Sequence, residues 1–310
     1  MISEQQYLKN LSVPTHRVDV ILDTDAFNEV DDQFALSYLL ASREKLNVKA
    51  ICAAPFYNEK SSSPLDGMIK SYDEILKILK LANFEEYAPY VYKGSEQYLD
   101  SETTPVDSPA ARKIVELASK YSSESPLYII AIGAITNIAS AILLDPSITE
   151  KIVIIWLGGH AYNWHDTKEF NMFQDIAAAR VVFGCEAPVI QIPCAGVADR
   201  FVISLVEMEY YLSGKNSLCD FLVDIVRKEI ERYGNRIAAS RVIWDVTAVA
   251  WLLNDNDRFM TSVLVPSPIP EYDGYYAQSY HRRTIRCVNH IYRDELAEDL
   301  ILKLIHLNNP

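Results

Sequence analysis

The sequence predicts an α/β protein with a mainly parallel central sheet, helices on both faces and extra helices in the C-terminal half. Three observations carry this reading. Short β-branched apolar runs recur between longer amphipathic segments. The runs are apolar throughout rather than alternating, as strands buried on both faces are. The two kinds of segment follow one another as βαβαβα, an order that short connections close into a parallel sheet.

Taken along the chain, the strands are expected at 18–23 (VDVILD), 47–54 (NVKAICAA), 127–133 (LYIIAIG), 151–159 (KIVIIWLGG) and 188–193 (PVIQIP). A helix is expected at 66–83, where Met68, Ile69, Tyr72, Ile75, Leu76 and Leu79 share one face. The next, at 108–122, opens with a Ser cap and Pro at its first position. A third, at 135–147, stops at Asp145-Pro146. The segment 206–234 reads as two helices broken near Ser213-Gly214, and a helix is also expected at 172–183. A short helix at 247–255, an alternating strand at 282–293 and a closing helix at 294–307 complete the pattern. The Ser-rich stretch 59–64 reads as a surface loop. With no repeat, linker or composition shift, 1–310 is expected to form a single domain.

Composition narrows the function. Hydrophobic residues make up 49% of the 310, enough for a sizeable core. A net charge of −13 argues against a nucleic-acid or anionic-membrane surface. The five cysteines are widely spaced with no CxxC, which suggests reduced thiols and a cytoplasmic setting. The first residues lack a signal-peptide apolar core, and no apolar run is long enough to span a membrane.

The densest chemistry lies at 21–34, ILDTDAFNEVDDQF. Here a buried strand ends in Asp23 and Asp25, and Asp31 and Asp32 begin the next helix. Ligands of open parallel sheets bind beyond the carboxyl ends of the strands. Carboxylates crowded there repel unless a cation compensates, and oxygen-rich clusters suit Ca2+ or Mg2+. Phosphotransferases of the haloacid-dehalogenase type also place DxD after a first strand, with Thr or Val two residues after the second Asp. Phe27 stands at that position and the Asp31-Asp32 pair is foreign to that pattern.

This stretch resembles the N-terminal signature of the nucleoside hydrolase family, a DxD followed by a DD pair that opens a helix. Three further segments are similar in the same order: 129–142 (IIAIGAITNIASAI), 156–182 (WLGGHAYNWHDTKEFNMFQDIAAARVV) and 242–253 (VIWDVTAVAWLL). The resemblance implies a Rossmann-type core and Ca2+-dependent hydrolysis of the N-glycosidic bond of a ribonucleoside or related riboside. It further implies a homodimer or homotetramer. By the match, Asp25 is the general base, activating a metal-bound water, and Asp25, Asp32, Asp245 and the Ile132 carbonyl are the metal ligands. Asp31, Asn58, Asn163, Glu169 and Asn171 take substrate-binding positions. Asp23 is expected to support the turn by hydrogen bonding, with a direct role left open.

Two departures bear on the substrate. Five residues, Ala26 to Val30, separate DxD from DD where the family commonly has three, so Asn28 and Glu29 stand within reach of metal or sugar. Many members place a His just before the late Asp, where it protonates the leaving base; here it is Trp244. Indole stacks on a ring but is no acid. His160 and His165 are the replacements nearest in sequence, and Tyr162, Trp164 and the Tyr-rich 271–281 are candidates for a base pocket. Glu169, beside Phe170, has no evident structural purpose in the sequence. The alternative to a hydrolase is a non-catalytic or weakly active ribose- or nucleoside-binding protein of the same fold.

Overall fold

The computed structural model describes residues 2–232, 234 and 238–307. A short helix, α1 (Glu4–Asn10), precedes β1 (Val18–Thr24), α2 (Asp32–Ala41), β2 (Leu46–Ala53), α3 (Pro64–Leu81), β3 (Val91–Lys93), α4 (Pro109–Ala118), β4 (Leu127–Ala131), α5 (Thr136–Leu144) and β5 (Ile152–Leu157). There follow α6 (Phe170–Gln174), α7 (Ile176–Gly184), β6 (Val189–Ile192), β7 (Val202–Ser204), α8 (Leu205–Leu212), α9 (Ser217–Arg232), β8 (Ser240–Val242) and α10 (Val246–Trp251). The chain closes with β9 (Met260–Pro266), β10 (Ile269–Pro270), β11 (Tyr276–Ala277), β12 (Thr284–Ile291) and α11 (Arg293–Ile305).

Eight of these strands form one sheet in the order β3-β2-β1-β4-β5-β6-β12-β9. All neighbours are parallel except β12 and β9. Alternate residues feed two cores. Val20, Leu22, Ile130 and Ile155 pack on one face against α2, α10 and α11, and Ile21, Ile129, Ile154 and Trp156 on the other against α4, α5 and α7. Helices on both faces are the reason the strands read as continuously apolar.

Local chemistry sets the boundaries. Ser63 and Ser108 accept hydrogen bonds from the backbone N–H of Asp66 and Ala111, with Pro in the first turn of each helix. The helix pair in 206–232 breaks at Gly214, whose φ is +73°; position 233 of the predicted segment lies outside the described residues. The helix predicted at 172–183 is two helices. Asp175 interrupts it because its carboxylate is tied elsewhere, accepting from Thr136 Oγ1 at 2.7 Å, Leu99 N at 2.9 Å and Ala178 N at 2.9 Å. The edge strands β3 and β9, the pairs β7-β8 and β10-β11, and α1 were not predicted.

β1 and β4 are adjacent, and the sheet order runs outward from them in opposite directions. The crevice beyond the carboxyl ends of two such strands is where open α/β sheets bind ligands. Asp25 follows β1 there, and Gly133 follows β4.

Candidate active site

β1 and the start of α2 position the acids. After Thr24 the chain turns, with Asn28 N–H donating to the Asp25 carbonyl at 2.7 Å. Asp31 occupies the N-cap position of α2 without capping it by its side chain. The carboxylate points away, and its Oδ2 accepts from the backbone N–H of Asp245 at 3.3 Å. Asp245 in turn stands at the N-cap of α10, again with no side-chain cap bond. A capping role therefore explains neither residue. Two helix N-termini, whose dipoles favour negative charge, converge on one point.

Asp25, Asp31, Asp32 and Asp245 are all buried, and carboxylate oxygens of the last three lie within 4.8 Å of one another. Thr24 Oγ1 donates to Asp32 Oδ1, and Asp25 Oδ2 is buried with no hydrogen-bond partner among the described residues. Burial pushes all four carboxyls up. Asp25 is raised further by the charges of Asp32 and Asp31, and Asp245 by Asp31, Asp32 and Asp25. Asp31 is raised by burial and then by Glu29, whereas Asp32 is pushed up to about 7 by burial against the opposing bonds from Thr24 and Asp245. Carboxylates packed this tightly and this dry can ionise together only with a compensating cation. The orphaned Asp25 oxygen and the all-oxygen donor set fit a hard divalent ion.

Gly133 makes the cluster possible. A Cβ there would lie 3.0 Å from Asp25 Oδ1, so glycine lets the β4 turn pass behind the carboxylate without displacing it. Asp23 does not join the cluster. Asn137 Nδ2 donates to its Oδ1 at 2.7 Å and to the Ala53 carbonyl at 3.2 Å, tying β1, β2 and α5 together.

These acids line a cavity of about 210 Å³ together with Ile132, Glu169, Asn171 and Trp244. Glu169 has a structural purpose that the sequence did not reveal. It caps α6, accepting from Asn171 N at 2.8 Å and Met172 N at 2.9 Å, and it holds Gly159 N at 2.8 Å. Asn171 bridges strand ends, its Nδ2 donating to the Leu157 carbonyl at 3.1 Å and to the Ile132 carbonyl at 3.4 Å. Asn28 and Glu29 of the longer loop also reach the cavity wall. Asn58 stands behind Asn28, donating to its Oδ1 at 2.6 Å.

Asn163 and His165 do not reach the cavity. Both lie exposed on the turn after β5, and His165 faces Asp166 at 3.3 Å. His160 lines the cavity instead. Tyr162 and Tyr276 are also elsewhere, stacked edge to face with both hydroxyls on Gln191. The sequence reading missed Leu157, Lys168, Phe170 and Cys194, which complete the lining. Leu157 ends β5 and Cys194 stands two residues beyond β6, so the strand-end rule that singled out Asp25 applies to both.

A ribonucleoside hydrolase described as pyrimidine-specific, from Shigella sonnei, is 30% identical over 140 residues, 43% of this chain and 44% of that one. Matches of this kind span between 42% and 65% of the curated relatives' own lengths. Among solved structures, a purine-preferring ribonucleoside hydrolase from Gardnerella vaginalis has the same fold, with a TM-score of 0.75 at 21% identity over 93% of this chain and 98% of that one. A plant nucleoside hydrolase gives a TM-score of 0.70 at 19% identity over 93% and 99%. The family model for inosine-uridine preferring nucleoside hydrolases matches residues 20–287, which include every acid of the cluster; the chain belongs to that family.

Proposed function

We propose that the protein is a Ca2+-dependent riboside hydrolase that cleaves the N-glycosidic bond of a ribonucleoside or a related riboside, with 1–310 as its catalytic unit. The observation that carries this is the buried cluster of Asp31, Asp32 and Asp245 at the β1/β4 crevice, with Asp25 beside it in the same cavity. Asp25, Asp32, Asp245 and the Ile132 carbonyl would hold the ion. When bound, Ca2+ supplies the positive charge that lets these carboxylates ionise together and fixes their oxygens in place.

The chain's own residues then divide the work. Asp25, with its unpartnered oxygen, takes a proton from the water that attacks the anomeric carbon. Asp31 accepts from a ribose hydroxyl. Asn171 and the spare lone pairs of Glu169 hold the other side of the sugar, against the oxocarbenium-like character the ring develops. The half-buried Trp244 offers a ring face to the departing group. Purified protein with Ca2+, offered purine, pyrimidine and nicotinamide ribosides, should release free ribose from at least one. Binding of ribose or nucleoside without release from any of them would leave a binding protein instead.

The same proposal places the enzyme in the cytoplasm, in keeping with five cysteines that form no disulfide, four of them buried. It also makes it a homodimer or homotetramer, which light scattering checks directly. No helix among the described residues is long and apolar enough to cross a membrane.

A further inference from the structure

With the sugar on the buried acids, the leaving group extends toward the less buried rim of the cavity, and there the backbone fixes the protonation of one side chain. His160 stands on an extension of β5 clamped to the chain leaving β6. Gly158 N–H donates to the Ile192 carbonyl at 3.2 Å, Cys194 N–H to the Gly159 carbonyl at 2.8 Å and Ala161 N–H to the Ala195 carbonyl at 3.0 Å. The Ala195 N–H donates to His160 Nδ1 at 3.2 Å. A ring nitrogen that accepts a hydrogen bond carries a lone pair, so the single proton of the imidazole is on Nε2. Protonating Nδ1 would set two N–H groups against each other. Half-burial also lowers the imidazole's pKa, opposed by Asp166 and Asp199 and reinforced by His165. Trp164 borders the ring at 6.0 Å, and Lys168 lines the same cavity.

We propose that the Nε2–H of neutral His160 hydrogen-bonds the departing ring of the riboside, acting as a fixed donor and not as a proton-giving acid. The inference rests on the riboside-hydrolase reading above. In the step, the water oxygen bonds to the anomeric carbon, the carbon–nitrogen bond breaks, and its electron pair stays on the leaving heterocycle. Asp25 takes the water's proton. The charge on the departing ring is met by the Nε2–H of a ring that the Ala195 bond to Nδ1 holds in place. The ring then takes a proton from solvent and Asp25 returns its own, so riboside and water give ribose and the neutral heterocycle. Neutral imidazole is an effective electrophile when its surroundings keep it from protonating.

The test compares nucleosides with para-nitrophenyl riboside, whose phenolate departs without help, in the wild-type protein and in His160→Phe, His160→Gln and Trp244→Phe. His160→Phe should lower kcat/KM at least ~30-fold more on the nucleoside than on the nitrophenyl riboside, in line with the loss of one donor. His160→Gln keeps an N–H and should recover part of that difference. Wild-type kcat/KM on the nucleoside should not decline along an imidazole titration as pH rises from about 5 to 8. Equal losses on both substrates overturn the proposal. So does an imidazole titration that disappears in His160→Gln, or a selective loss in Trp244→Phe in place of His160→Phe. A wild-type protein that cleaves neither substrate overturns the hydrolase reading along with it, whereas cleavage of both with no selective effect at His160 overturns this inference alone.

Discussion

At the buried end of the cavity, Asp25, Asp31, Asp32 and Asp245 stand on one strand end and two helix starts. At the rim, Asn28, Glu29, His160 and Lys168 stand on loops. The floor is fixed by the end of β1 and by the first turns of α2 and α10, which pack on the sheet. The rim is fixed by a few side-chain bonds, such as Asn58 to Asn28 and Arg241 of β8 to Glu29 at 3.2 Å. The family resemblance follows the floor, and the departures from it, the longer loop and Trp244, fall on the rim. A division of this kind lets one cleavage chemistry serve different leaving groups, because loops change without disturbing the elements that hold the acids.

The largest effect should come from the floor. Asp25→Asn keeps the shape of the side chain and removes the base. Ribose release should fall on the order of 10³-fold, within the range for a lost general base, while the circular dichroism spectrum is retained. A loss of under about tenfold would assign the base elsewhere and undo the contrast between floor and rim.

Removing the ion should come next, read as stability. Without a cation, folding holds Asp32 at about 7 against an ordinary 3.8. A raised folded-state pKa means that the folded form binds the proton more tightly. Its contribution is full below the ordinary carboxylate range and is lost as pH rises through about 7. The chelated protein should therefore lose thermal stability between about pH 4 and 7, and added Ca2+ should restore it at neutral pH. An ion at 100 times its Kd adds about 2.7 kcal/mol, some degrees in Tm. A melting temperature indifferent to both chelator and pH would mean that the cluster holds no metal.

Gly133→Ala probes the same floor through backbone. Its Cβ would meet Asp25 Oδ1 at 3.0 Å, so the carboxylate must shift by a few tenths of an ångström. A shift of about 1 Å costs ~10²-fold, so kcat should fall about tenfold with little change in KM. A larger change in KM than in kcat would place the disturbance in substrate binding.

The same contrast explains what the sequence disclosed. The strands and most helices were legible because burial on both sheet faces writes continuous apolar runs, and Ser-Pro and Asp-Pro mark helix ends. Three acids of the site were legible because they lie in one short stretch, and charge crowded at a strand end has few structural explanations; Asp245 was reached only through the family resemblance. Asp175 misled because a distant carboxylate bond to Thr136 and Leu99 splits a helix that local propensity would join. Glu169 misled in the opposite sense: three backbone N–H groups claim it, two in the helix it caps and one at Gly159, and glutamate is not a residue type that announces a cap. Nor does the sequence distinguish His160 from His165. Which of them faces the cavity depends on where the segment 192–195 passes, a tertiary fact.

The smallest effect should come from Glu29, and it is the sharpest test of the rim. Glu29 lies on the family-atypical loop, lines the cavity and pairs with Arg241, whose Nε is buried and without a hydrogen bond among the described residues. The pair is partly exposed, and such pairs contribute at most about 1 kcal/mol. Glu29→Gln keeps the side chain's length and a hydrogen-bonding oxygen for Arg241. Stability should hardly change, and kcat should stay within about fivefold, because a partly exposed pair contributes at most about 1 kcal/mol. What should move is the ranking of substrates, since this carboxylate lines the cavity on the loop that departs from the family pattern. If Glu29→Gln leaves the order of kcat/KM across purine, pyrimidine and nicotinamide ribosides unchanged, the longer loop is only a cover. If it lowers kcat as far as Gly133→Ala does, the rim is as tightly organised as the floor, and the two ends of the cavity differ in exposure alone.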